Sequence, residues 1–143
     1  MRHLLDVNVW IALLDEAHVH HLTALAFVEQ KALKVASCPL VENGVIRILN
    51  LPGYSKFGPV GFERVINKLQ EICGDLDYEF WPDSVTMRTT GLIDWTRVLG
   101  HNQITDIYLL ALAKANHGCL ATLDHRVALS TVVGASTKNL RLL

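Results

Sequence analysis

Leu4-Leu5-Asp6-Val7-Asn8-Val9-Trp10-Ile11, LLDVNVWI, is apolar except for an acid and an amide two positions apart. Arg2 to Leu5 reads as a short buried strand. Val9 to Leu14 carries the apolar character on into a helix. Asp6 therefore stands where a strand hands over to a helix. A carboxylate in apolar surroundings is costly to desolvate, or is forced up in pKa, unless a partner shares its charge. The same arrangement returns near the other end of the chain. Cys119 to Leu123 reads as a buried strand, and CLATLD closes on Asp124.

Between these two strands the chain alternates. His18 to Lys34 has an approximate helical stripe in Leu22, Leu25, Ala26 and Val28, and Val35 to Cys38 is a second short strand. Pro39 suits a first helical turn, with Val41, Val45, Ile46 and Leu49 on one face. Leu51 to Pro59, with Pro52, Gly53, Gly58 and Pro59, is a loop. Gly61 to Ile72 is amphipathic, and Tyr78 to Trp81 is a strand stopped by Pro82. Asp83 or Ser84 is placed to cap a helix running to about Val98. Thr105 is the N-cap candidate for a helix through Asn116, where Lys114, His117 and Gly118 give stop signals. A short helix and a strand over Leu140 to Leu143 end the chain. Strands alternating with helices predict an α/β fold, a mainly parallel central sheet flanked by helices. Without repeats or linkers, residues 1–143 read as one domain.

Half of the 143 residues are apolar and mean hydropathy is +0.27, enough for one real core. Net charge is -1 and pI about 6.6. That balance gives no support for a bulk electrostatic nucleic-acid binder, so any such contact depends on local groups. Cys38, Cys73 and Cys119 are odd in number, widely spaced and without a CxxC, which points to reduced thiols in a cytoplasmic protein. No signal peptide is visible before Asp6. The longest clean apolar run, Ile107 to Ala113, is far short of the roughly 20 residues of a membrane span.

Asp6 and Asp124 close strands, and sites in open parallel sheets form beyond the carboxyl ends of the strands. Glu42 lies in the first turn after the second strand. Asp106 opens the helix TDIYLLALAKANHG. Taken one at a time, each acid is adequately explained as a helix cap or a dipole partner. Taken together, three carboxylates on one rim, with Asp106 as a candidate fourth, repel unless a cation neutralises them. Oxygen ligands without a nearby Cys suit Mg²⁺ or Mn²⁺. Such an ion activates water and stabilises in-line displacement at phosphorus.

Four stretches, LLDVNVWIALL, CPLVENGVIRIL, TDIYLLALA and LATLDHRV, resemble in order the motifs of the PIN-domain family, in particular the VapC-type toxins of bacterial toxin–antitoxin pairs. The resemblance spans nearly the whole chain. It implies a compact α/β domain with a parallel sheet. It also implies a metal-dependent endoribonuclease with Asp6, Glu42, Asp106 and Asp124 at the family's four acidic positions as metal ligands and catalytic residues. RNA as substrate, Mg²⁺ or Mn²⁺ as cofactor, a small antitoxin as partner and a homodimer all come from the resemblance.

Asp6 then shares its charge with an ion. Asn8 either orients Asp6 or a water on that ion, or caps the following helix. Thr105 either touches a water or caps its helix, and Arg126 either meets a substrate phosphate or is solvated. His18, His20 and His21 lack the i, i+4 spacing of common zinc motifs. Trp10, Trp81 and Trp95 are read as core residues before base-stacking ones. Two other functions compete. A haloacid-dehalogenase-like phosphatase also starts from a strand ending in Asp, but wants a second Asp where Asn8 stands. A non-catalytic α/β binding module would use all four acids as caps.

Overall fold

The computed structural model describes all 143 residues. Five strands form one sheet: β1 (Arg2–Leu5), β2 (Lys34–Ser37), β3 (Asp77–Phe80), β4 (Cys119–Thr122) and β5 (Leu140–Leu142). Their order is β3-β2-β1-β4-β5, and every pairing is parallel. The expected α/β architecture is therefore the observed one. Parallel sheets are covered on both faces, so their inner strands are continuously apolar. Leu4 and Leu5 of β1 and every residue of β4 are buried. The edge strands β3 and β5 are largely exposed instead. On β3, Asp77 and Glu79 pair with Arg2, whose guanidinium reaches across from β1.

Five helices cover the sheet: α1 (Val7–Leu14), α2 (His21–Val28), α3 (Pro39–Leu49), α4 (Phe62–Asp75) and α5 (Ile104–Ala115). Asp6, in extended backbone, accepts a hydrogen bond from Val7 N at 2.7 Å and starts α1. Pro39 opens α3 as its composition predicts. Gly44 in α3 faces Val7; a Cβ there would lie 2.9 Å from a Val7 methyl. The missing side chain lets α1 and α3 close together near their N-termini, beside Asp6 and Glu42. From Leu109 to Ala113, α5 is buried all round, so it is a core helix with a polar tip. Trp10 and Trp81 are in the core, whereas Trp95 is half exposed.

Three expectations fail for physical reasons. The helix expected over His18–Lys34 shrinks to α2, because the polar Glu29–Lys31 stretch leaves the helix and the chain must reverse into β2, with Ala32 in left-handed backbone at φ 62°. No helix runs from Asp83 or Ser84 to Val98. There the chain turns at Gly91 (φ 76°), and Ile93 bridges Val132 while Asp94 N donates to Thr131 O. Only a 3-10 turn, Trp95–Arg97, survives, capped by Asp94. Long-range backbone pairing here outweighs a weak helical pattern rich in threonine. The last helix is likewise replaced by 3-10 turns at Leu129–Thr131 and Thr137–Asn139.

Candidate active site

All four acids lie at the carboxyl edge of the sheet or in the first turn of a helix that starts there. Asp6 follows β1, Asp124 lies two residues past β4, and Glu42 and Asp106 are in the first turns of α3 and α5. The carboxyl ends of adjacent parallel strands are neighbours, so β1 pairing β4 fixes Asp6 beside the Asp124 turn.

Asp6 is 4% exposed and takes three donors. Val7 N donates to Oδ1, while Thr122 Oγ1, at 2.6 Å, and Asn8 Nδ2, at 2.9 Å, donate to Oδ2. Asn8 also donates to Thr122 Oγ1 and accepts from Leu123 N. Thr122, fully buried, in turn accepts from Asp124 N at 3.0 Å. One hydroxyl thus ties β1 to the Asp124 turn. Nothing about a threonine in a strand announces this role. The only signal was its place, a hydroxyl two residues before Asp124 in an otherwise apolar run.

Asp124 accepts from the backbone N of Arg126 and from its guanidinium, at 2.8–3.0 Å. Its carboxyl is held below the usual range, chiefly by the Arg126 side chain. Arg126 is 82% exposed and folded back onto Asp124. Asp106 differs from both. No hydrogen-bond donor reaches its carboxyl. Burial, then the charges of Asp6 and Asp124, raise it to about 6, with Arg126 pulling the other way. Asp6 is raised too, by burial first, against the pull of its hydrogen bonds and with Asp124 adding. Two carboxyls pushed up beside one held down is the pattern of a working acid cluster.

Glu42 stands apart from this group. Its Oε1 accepts from Ser37 Oγ at 2.7 Å and Tyr78 OH at 3.2 Å. Its charge is felt by Tyr78 and Cys73, not by the three aspartates. Thr105 is not an N-cap: the preceding 3-10 turn, His101–Gln103, starts α5 one residue earlier, and Thr105 lies exposed in its first turn. The capping explanation therefore holds for Asp6 and in part for Asp124. It fails for Asp106, which caps nothing.

A cavity of about 610 Å³ lies at the C-terminal ends of α1 and α3 and holds none of the four acids. A smaller cleft of about 230 Å³ holds Asp106, Asp124 and Arg126 under the Leu99–Gln103 segment. Chemistry rather than size makes the second the candidate site. Its donors are all oxygen, which suits Mg²⁺ or Mn²⁺ and not zinc. As they stand, no three Asp, Glu, His or Cys side chains group tightly enough to chelate an ion, so ligands would have to adjust on binding. The His18 and His20 rings lie tilted to each other at 5.8 Å and belong to no such cluster.

A parallel sheet in this order, with acids along its carboxyl edge, defines a PIN-like α/β domain. No family model matches the chain. Over its whole length it is 38% identical to Ribonuclease VapC44 of Mycobacterium tuberculosis, all of which it covers. It is 36% identical to Ribonuclease VapC29 of the same species, over 87% of each chain. Among solved structures, VapC20 of M. tuberculosis, a sarcin–ricin-loop-cleaving toxin, superposes with a TM-score of 0.63 at 12% identity, over 92% of this chain and 96% of that one. VapBC2 from Rickettsia felis, bound to a DNA fragment of its promoter, gives 0.59 at 17%, over 100% and 98%. The two structures share the fold; the sequence relatives fix the family. The chain belongs to the VapC ribonucleases.

Proposed function

We propose that the chain is a divalent-metal-dependent endoribonuclease acting as the toxin of a type II toxin–antitoxin pair. The observation that carries it is Asp106, a carboxyl without a hydrogen-bond donor, raised to about 6 by burial and by two neighbouring aspartates in a cleft. A group in that state gains from a cation placed beside it. Asp6, Asp106 and Asp124, with Glu42 from α3, are the residues to hold Mg²⁺ or Mn²⁺. A bound ion supplies charge neutralisation and water activation at the scissile phosphate.

The chain's own residues do the rest. Thr122 and Asn8 hold Asp6 in one orientation, so its carboxyl costs little ordering on binding. Arg126 is free to exchange its hold on Asp124 for a substrate phosphate, a contact well matched by a guanidinium fork. RNA as substrate is supported by the ribonuclease relatives and by the cleavage activity of the VapC20 neighbour. A cognate antitoxin is supported by the VapBC2 assembly. A homodimer belongs to the same reading.

The phosphatase alternative is not favoured, because Asn8 spends its amide on Asp6 and Thr122 and offers no general acid. The binding-module alternative leaves Asp106 only the dipole of the first turn of α5 to offset its burial beside two other acids. No helix is long and apolar enough to cross a membrane, in keeping with a cytoplasmic toxin. The test is RNA cleavage by purified protein, absent in chelator and restored by Mn²⁺ or Mg²⁺. Asp6→Asn serves as the control for contaminating nuclease. Cleavage that persists undiminished in excess chelator overturns the proposal.

A further inference from the structure

Glu42 Oε1 is the end of a short hydrogen-bond relay. Ser37 Oγ donates to it at 2.7 Å, and Tyr78 OH lies 2.7 Å from Ser37 Oγ and 3.2 Å from Oε1. Each hydroxyl has one proton. With that of Ser37 spent on Glu42, that of Tyr78 goes to Ser37 or to Glu42. Either way both hydroxyls polarise toward a single carboxylate oxygen. No donor reaches Oε2. Ser37 is 2% exposed and closes β2, and Tyr78 lies on β3, so the relay is anchored on two paired strands. Glu42, by contrast, is on a helical turn and has a long, rotatable side chain.

We infer that Ser37 and Tyr78 are positioning residues for Glu42: they clamp one of its oxygens and leave the other available to an ion at the rim. The inference rests on the reading of Glu42 as an ion ligand. Side chains that hold a ligand's orientation contribute heavily to metal affinity, because the ligand otherwise loses its rotational freedom on binding. The sequence gives no hint of the relay, since Ser37 and Tyr78 are 41 residues apart.

The probe is Mn²⁺ alone, with binding to the full chain read from the electron paramagnetic resonance signal of free Mn²⁺ and checked by the Mn²⁺ dependence of cleavage. Tyr78→Phe keeps the ring and removes the relay's outer hydroxyl; Ser37→Ala removes its inner one. Both are expected to weaken Mn²⁺ binding about tenfold and to raise the Mn²⁺ needed for half-maximal cleavage by the same factor. Unchanged affinity in both variants, whatever their melting temperatures in chelator, overturns the inference and leaves the relay a scaffold. Tighter binding overturns it too, since the relay then holds Glu42 away from the ion. If Glu42→Gln binds as wild type while Asp106→Asn does not, Glu42 is no ligand, and this inference fails while a three-aspartate site stands. If wild type binds no Mn²⁺, the proposed function fails with it.

Discussion

Asp6 and Asp106 carry the same group at the same edge of the same sheet, yet they are held in opposite ways. Asp6 is sealed in, with three donors and a threonine that also grips its neighbour's turn. Asp106 rides the tip of α5 in an open cleft with no donor at all. The difference teaches that a site can be half built and half poised. One carboxyl is fixed by the fold, and the other is left with an electrostatic need that the fold does not meet.

The sharpest break in that comparison is Asp106→Asn. Asparagine keeps the shape and removes the charge, so RNA cleavage is expected to fall about a hundredfold or more. In chelator the variant should melt higher than wild type, because a repulsive charge has gone. Equal cleavage and equal melting would return Asp106 to an ordinary helix tip. Next in size is Thr122→Val, near in volume but without the hydroxyl. It strips one donor from buried Asp6 and the acceptor from Asn8 and Asp124 N, a loss of about 2–3 kcal/mol in urea unfolding. A loss under about 0.5 kcal/mol would mean the Asp6 half is not built as described.

A smaller effect follows from acidity. Asp106 titrates at about 6 in the folded chain and near its ordinary 3.8 when unfolded. The folded state therefore binds that proton more tightly. Without metal, stability is lowest above pH 6, rises as the pH falls through 6, and the gain is complete below about 4. After discounting for solvent, the gain from pH 7.5 to 5 is about 1–2 kcal/mol, seen in wild type and reduced in Asp106→Asn. A wild-type curve parallel to the variant's removes the claim. Smallest is Arg126→Ala. The Asp124 pair is exposed, so its loss should change stability by less than about 0.5 kcal/mol. It should nonetheless move Asp106 titration upward, which carboxyl NMR reads directly, because Arg126 is the one cation opposing the shift.

Legibility in the sequence follows the same division. Strands β1, β2 and β4 and helices α1, α3 and α5 are local statements: apolar runs, Pro39, and acids at their ends. Residues 82–100 are not, because Ile93 and Asp94 take their partners from residues 131 and 132, far along the chain. Asp6, Asp106 and Asp124 are legible as acids at junctions. That Asp106 lacks a partner while Glu42 has two is visible only in three dimensions. Thr122, Ser37 and Tyr78 went unread for the same reason: a hydroxyl in a strand is silent until its neighbour across the sheet is known.

The strand order also governs when the site comes into being. β1, made first, lies at the centre and is flanked by β2 and by β4, which is made more than a hundred residues later. Until Cys119–Thr122 has left the ribosome, Asp6 lacks Thr122, and Asp124 does not exist. Such distant pairing is slow to form and late in the folding of a chain. During synthesis the first strand therefore waits, one edge bare, until β4 brings the Thr122 hydroxyl and the Asp124 turn beside Asp6.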